Sequence, residues 1–411
     1  MNNKEKNKTA LFVMPRKSSA WKGAEAMWIT AGGWAAAAKR LFGEAIIFTN
    51  DTSATPKEIL SYPVNSSKDK NQKKRSILVR YSPEIIKTLY KDFLLWRASK
   101  NGTLYNHKAV IKDQNISLVW EQHDLFPGIG YKLAKKYNVP FILYVHAPQV
   151  WETSKWGVKR PIWGKIIEKI EAKSLKRADL VACVSEQVSQ KLIEMGVPKE
   201  KIHISPMAVD PHLFDDINSN SIKRKFDLNN KLVLGWTGSF RSFHGLDLLI
   251  KTFDQVLMAV PNAILLLIGD GKEREEIEKL VEDLDISENV IFAGRKSFID
   301  VPKYVNAFDV AIVSARSSKD FHYSPLKLRE YLGAGIASLA PDAGEIPKTF
   351  IDNLHLRIYE IGEIESTSQI IIELFRDQEK RQILGKNGKE FILNNGTWDV
   401  ELDKALKKLN T

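Results

Sequence analysis

Short, unbroken apolar runs recur along the chain. Each is followed by a longer stretch in which apolar positions return every three or four residues. In the first half the runs fall at 10–14, 45–49, 116–120, 140–145, 180–185 and 201–206. In the second they fall at 231–238, 263–269, 289–294, 310–315 and 336–340. Runs such as PFILYV (140–145) and AILLLIG (263–269) lack the polar alternation of a half-exposed strand. That pattern predicts strands buried on both faces of a parallel sheet, joined by right-handed helical crossovers. The expected architecture is α/β, with two doubly wound parallel-sheet (Rossmann-like) domains. A segment rich in Pro, Asp, Asn and Ser at 207–221 marks the boundary, dividing the chain into domains 1–207 and 208–396. Folds of this kind take ligands beyond the carboxyl ends of their strands.

One region departs from the alternation. Residues 68–76 (KDKNQKKRS) form a polar, basic loop. The following stretch, 84–100, carries Ile85, Ile86, Leu89, Phe93, Leu94 and Trp96 among Lys87, Lys91, Arg97 and Lys100. Two readings fit: a basic amphipathic helix lying on a membrane surface, or a core-facing helix with solvated lysines.

Composition narrows the function classes. The 411 residues are too many for one compact core. The single cysteine, Cys183, excludes a disulfide framework and a cysteine metal site, and fits a reducing, cytoplasmic setting. No apolar run approaches the ~20 residues of a membrane span, and the N-terminal stretch lacks the apolar region of a signal peptide. The net charge of +11 is uneven. Residues 1–212 carry 35 Lys and Arg against 19 Asp and Glu, and the remainder 26 against 31. A basic half joined to an acidic half predicts different partners for the two domains, with an anionic lipid surface for the first. Nucleic acid is not expected, because the lysines are not interleaved with stacking aromatics in a recognisable module.

The second half concentrates the candidate chemistry at strand ends. In GWTGSFRSFHGLDLLI (235–250), a strand runs into Gly238 and Ser239, and a helix begins near Gly245. Glycines there allow close backbone approach to a ligand, Arg241 offers a bidentate phosphate contact and His244 a hydrogen bond. IGDGKERE (268–275) reads as a tight Gly-Asp-Gly turn at a second strand end. FAGRKSF (292–298), with Arg295, is a third. In DFHYSPLKLREYLGAG (320–335), Ser324 is placed as N-cap and Pro325 at the first helical position. Lys327 and Glu330 follow on one face, as an anion contact and a hydroxyl grip, or as a helical i,i+3 salt bridge. Converging, these loops look like a nucleotide-diphosphate site.

These motifs, with RADLVACVSEQVSQKLIEMGVPKEKIHISPMAVDPHLF (177–214) and SPLKLREYLGAGIASLAPDAGEIPKTF (324–350), resemble family 4 (group 1) retaining glycosyltransferases of the GT-B fold. The resemblance covers roughly residues 110–350. It implies two domains facing a cleft, with the first taking the acceptor and the second the donor, and a last helix (397–411) packing back on the first. It implies that Glu330, the second Glu of the family's E-x7-E motif, holds ribose hydroxyls, and that Arg241 and Lys327 meet the diphosphate. The first Glu of that motif is replaced by His322. The backbone from His322 through Tyr323, Ser324 and Pro325 to Leu326 is left to contact the donor sugar. Gly238, Ser239, His244 and Arg295 complete the donor set. In the first half, His146 follows a strand where family members often carry a His close to the reacting sugar. Glu121 and His123 follow the neighbouring strand. Lys22 and Gly23 occupy the place of the family's Gly-Gly loop, and these four are expected on the acceptor side. The tryptophans at 21, 28, 34, 151, 156 and 163 fit an apolar acceptor site or core packing.

The expected reaction is sugar transfer, with retention, from a UDP- or GDP-sugar to a glycan or lipid-linked acceptor at the cytoplasmic membrane face. No D-x-D motif follows a strand, so no metal or other cofactor is expected. A GT-B sugar-nucleotide epimerase and a non-catalytic sugar-nucleotide-binding protein are the alternatives.

Overall fold

The computed structural model describes residues 8–18, 25–60, 82–101, 104–319 and 321–410. It divides into two compact units. Described residues up to Pro206, together with Glu401 onward, form the first, and Met207–Val400 form the second.

The first unit is built on a seven-stranded sheet. Its strands are β1 (Lys8–Val13), β2 (Gly43–Phe48), β3 (Ser53–Ala54), β4 (Ile116–Gln122), β5 (Phe141–Val145), β6 (Leu180–Cys183) and β7 (Ile202–Ile204). Their order is β3-β2-β1-β4-β5-β6-β7, all parallel except the short β3 hairpin partner on β2. β5 and β6 are buried at every position, as their unbroken apolar sequences require. The core behind them is aromatic: the Trp34 ring lies 4.7 Å from Trp120 and 5.4 Å from Tyr144. Trp34 is therefore core rather than part of an acceptor site, and Trp28 is tied by its Nε1 to the Ile59 carbonyl at 3.0 Å.

The second unit repeats the plan with six parallel strands. They are β8 (Leu232–Phe240), β9 (Ala263–Gly271), β10 (Val290–Phe292), β11 (Val310–Ile312), β12 (Ala337–Pro341) and β13 (Arg357–Tyr359), in the order β10-β9-β8-β11-β12-β13. In each unit the order reverses direction at the first strand, between β1 and β4 and between β8 and β11. At such switch points adjacent crossovers leave on opposite faces, and a crevice opens at the carboxyl end. One expectation needs correction: Gly269-Asp270-Gly271 is not a tight turn. β9 continues through it, pairing Gly269 with Gly238 and Gly271 with Phe240. β8 likewise runs two residues beyond its predicted end.

The helix Glu84–Asn101 is the other notable element. It is held to its unit through Asp92, which accepts from Arg160 Nε at 2.7 Å, Arg160 Nη2 at 3.1 Å and Trp163 Nε1 at 3.0 Å. Leu95 packs beside Leu125, Phe126 and Ile167. The basic loop 68–76 lies outside the described residues. No described helix is long and apolar enough to cross a membrane.

Candidate active site

At the switch point of the second unit, β8 delivers Trp236, Thr237 and Gly238, and the helix Leu326–Gly333 delivers Lys327 and Glu330. The two elements are locked together by Tyr331, whose hydroxyl accepts from the Thr237 N–H at 2.7 Å. Trp236 is fixed from the other side, its Nε1 donating to Ser314 Oγ at 2.9 Å. Lys327 Nζ then lies 4.1 Å from the centroid of the Trp236 ring. The lysine stem is half-exposed, yet Nζ itself is enclosed and has no hydrogen-bond partner. Burial pushes its pKa down to about 7, opposed by the nearby Glu330. Burial also pushes Glu330 up to about 7, with Lys327 opposing. No salt bridge forms between them. An amine without an acceptor is thus held dry beside a buried carboxyl, an arrangement that costs free energy unless a ligand completes it.

Gly238 makes room for this arrangement. Its φ is +150°, and a Cβ there would sit 2.7 Å from Lys327 Nζ and 3.0 Å from the Trp236 ring. Across the ladder, Gly269 has φ +144°, and its Cβ would fall 1.7 Å from the Gly238 carbonyl oxygen. Only glycine at both positions lets the two strands continue past the sheet edge. Gly245, at φ +61°, opens the helix Leu246–Ala259 as expected. His244, just before it, is buried against Trp236 and Phe243, and its Nδ1 has no partner. Burial first, then Lys327 and Arg241, hold its pKa well below the usual value, so it is a neutral imidazole. Arg241 is exposed at the loop tip and Ser239 is half-buried on the extended strand. Arg295 is exposed directly after Gly294, whose carbonyl accepts from the Gly269 N–H at 3.1 Å.

The segment before the helix differs from the sequence expectation. Ser324 is not an N-cap; its buried Oγ accepts from the Met207 N–H at 3.0 Å, tying the start of this unit to the site. Pro325 precedes the helix, which begins at Leu326, and a proline has no N–H to offer a sugar. His322 is buried and Tyr323 packs on Phe321 at 4.4 Å and Phe243 at 5.7 Å. Arg316 and Arg329 have no distinctive sequence signal, yet both shape the site. Arg316 pairs with Asp247 and donates from Nε to the Ser242 carbonyl at 2.7 Å. Arg329 pairs with Glu345 at 2.6 Å, anchoring the helix from behind.

In the first unit, β4 and β5 bring His123 and His146 together at the carboxyl edge. His123 Nε2 is 2.7 Å from the fully buried Glu171, whose Oε1 also accepts from the Gln149 N–H at 2.6 Å. His146 Nε2 is enclosed without a partner although the side chain as a whole is only half-buried. Burial, then His123, pushes its pKa down to about 4. Arg16, at the end of β1, pairs with Asp124 through two hydrogen bonds; it was not among the expected residues. Glu121 needs correction. It is fully buried, and its two oxygens accept the Gly128 and Gly130 N–H groups at 3.0 and 3.1 Å, so it shapes a loop instead of meeting an acceptor. Lys22 and Gly23 lie outside the described residues.

Comparison with known proteins agrees with this geometry. Residues 218–391 match the family model of the glycosyl transferases group 1, and residues 68–213 that of glycosyltransferase family 4. An uncharacterized glycosyltransferase of Methanocaldococcus jannaschii is 26% identical over 69% of this chain and 72% of its own length. A GDP-mannose-dependent monoacylated alpha-(1-6)-phosphatidylinositol monomannoside mannosyltransferase of Corynebacterium glutamicum is 28% identical, over 38% of this chain and 41% of its own. Among solved structures, a glycosyltransferase from Rickettsia africae superposes with a TM-score of 0.64 at 17% identity, covering 98% of each chain. HepE from Anabaena, in complex with UDP-glucose, superposes with 0.63 at 14% identity, over 98% of this chain and 99% of that one. Two parallel-sheet α/β domains, an edge site with a nucleotide-binding chemistry and both family matches lead to one assignment: the chain belongs to the group 1 glycosyltransferases of the GT-B fold.

Proposed function

We propose that this enzyme transfers a sugar, with retention of configuration and without a metal ion, from a GDP- or UDP-sugar to a glycan or lipid-linked acceptor. The observation that carries the donor reading is the enclosed, partnerless Lys327 ammonium beside the Glu330 carboxyl at the end of β8. A nucleoside diphosphate suits both: its phosphate oxygens would give Nζ the acceptor it lacks, and its ribose hydroxyls would donate to the carboxylate. Arg241 covers the diphosphate from the loop tip, and neutral His244 donates or accepts one hydrogen bond there. Relatives named as GDP-mannose-dependent phosphatidylinositol mannoside mannosyltransferases support the nucleotide and the lipid acceptor.

The chemical step follows from the charges. The bond between the sugar C1 and the diphosphate oxygen breaks through an oxocarbenium-like state. The acceptor oxygen bonds to C1 on the same face, and its proton passes to the departing phosphate oxygen. Lys327 and Arg241 stabilise the negative charge developing on the diphosphate. In the first unit, neutral His146 is a hydrogen-bond partner for the sugar or the acceptor hydroxyl.

Thermal-shift titration with GDP, UDP, ADP and their sugars tests the reading. One nucleoside diphosphate should raise the unfolding temperature of the wild type, with at least tenfold weaker binding in Glu330→Gln. A flat response to every nucleotide overturns it. Incubation with the donor sugar alone separates a transferase from an epimerase, since only the latter converts the sugar without an acceptor.

A further inference from the structure

The helix Glu84–Asn101 presents an arc of apolar side chains that packing among the described residues leaves largely open. Ile86, Leu89, Tyr90, Phe93, Leu94 and Trp96 are each 40 to 54% exposed. At 100° per residue these positions span about half the helix circumference, opposite the side that carries Asp92 and Leu95 inward. Arg97 projects within this arc and Lys87 and Lys91 lie at its margin. The neighbouring helix Gly164–Leu175 continues the pattern. It packs inward through Ile167 and Glu171, while Ile166 and Ile170, with Ile162 in the turn before the helix, are exposed among Lys165, Lys169 and Lys173. Ile162 is 81% exposed. The two elements are joined where Trp163 Nε1 donates to Asp92, and Leu95 and Trp163 both pack on the cluster of Leu125, Phe126 and Ile167.

We infer that these two helices seat the protein on an anionic lipid bilayer. The chemistry of the surface selects that occupant. Apolar side chains with Trp, Tyr and Phe among them, ringed by cations, match the acyl–headgroup boundary, where the rings sit at headgroup depth and lysines and arginines reach the phosphates. Acidic groups offset few of the cations: Glu84 pairs with Lys87 at 2.8 Å, whereas Asp92 is buried and paired with Arg160, and Glu168 is paired with Lys191. A two-fold interface with a second copy would set these cations against their own images, without counter-charge. The surface also lies one packing layer from the polar cluster of the first unit. Leu125 and Phe126, beneath Leu95, directly follow His123 and Asp124 in the chain. A lipid-linked acceptor held there would keep its chain in the bilayer, and this inference rests on that part of the proposed function.

The test is co-sedimentation of the full chain with vesicles of phosphatidylglycerol and phosphatidylcholine, compared with phosphatidylcholine alone. The wild type should pellet with the anionic vesicles, less so as salt rises, and remain in solution with the neutral ones. Leu89→Glu with Phe93→Glu, both at exposed positions, should require at least tenfold more anionic lipid for half-binding. Its unfolding temperature and its shift with nucleotide should match the wild type. A wild type that ignores anionic vesicles overturns the inference, as does a double variant that binds them equally well. Sedimentation equilibrium provides the remaining arm: a dimeric wild type that becomes monomeric in the double variant, with no vesicle binding by either, assigns the face to a second copy. Vesicle binding without any nucleotide shift would instead overturn the donor reading and leave this one standing.

Discussion

Lys327 is the residue at which ligand binding and stability conflict. Its Nζ has the Trp236 ring for company but no oxygen acceptor, so the apo protein holds a desolvated amine. Lys327→Met keeps the stem and removes that cost. The variant is expected to unfold a few degrees higher without ligand, yet to bind nucleoside diphosphate at least tenfold more weakly by calorimetry. A loss of both stability and affinity would mean that the lysine is structural. His146 gives a pH signature. Its folded pKa, about 4, lies below the unfolded value near 6.5, so the folded state resists its protonation. Stability from this group is complete above pH 6.5 and falls as pH drops from there towards 4. Between pH 8 and pH 5 the wild type should lose about 1–2 kcal/mol relative to His146→Asn in denaturant titrations. Comparison with the variant is necessary because Glu121 and Glu330, both raised to about 7, titrate over the same range with the opposite sign in both proteins. At this scale the sequence was partly legible. Lys327, Glu330 and Gly238 sit together because a motif places them near strand ends. Glu121 did not reveal its fate, since its partners are backbone amides whose approach depends on the turn at Gly128. Arg16 and Asp124 are 108 positions apart, and nothing local to either announces the other.

Among elements, the paired extension of β8 and β9 has the sharpest requirement. Gly269→Ala places a methyl against the Gly238 carbonyl, at a backbone angle that alanine rarely adopts. The expected result is a loss of about 2 kcal/mol or more in unfolding free energy, with nucleotide binding lost along with it. An unchanged midpoint would show that the ribbon yields locally. Pattern reading found the central strands because burial on both faces forces continuous apolar sequence. It missed β3 and β13, which have two and three residues and no room to show a period. It stopped β8 at Gly238 and read Gly269–Gly271 as a turn because glycine usually marks a break, whereas here paired glycines let two backbones run on. The helix Glu84–Asn101 was ambiguous for a related reason. Its apolar positions were visible, but which of them faced inward depended on Asp92 finding Arg160, 68 positions away.

At the level of the molecule, the unequal charge of the two halves follows the division into units, and the family matches follow it as well. The last helix, Trp398–Leu409, crosses the division. Trp398 donates its N–H to the Val209 carbonyl in the second unit, while Leu402 and Ala405 are buried in the first. Lys404 and Lys408 lie near His203 on β7 and, after burial, help lower its pKa. Deleting residues 401–411 should therefore destabilise the first unit by roughly 3 kcal/mol, from the apolar surface left uncovered. Nucleotide-induced protection of the second unit from proteolysis should persist. Uniform loss of protection in both would show that the units do not unfold independently.

That crossing helix also sets how the protein can be taken apart. A cut after Pro206 would leave the whole of one short amphipathic cylinder on the second piece, with its residues from Glu401 onward stripped of the unit they belong to. Anyone seeking the second unit alone for crystallisation or fragment screening should end it at Val400 and replace Leu402 and Ala405 with polar residues if the tail is kept. The other half is expected to be whole only when the closing peptide is grafted back, in cis through a flexible tether or in trans as a synthetic helix.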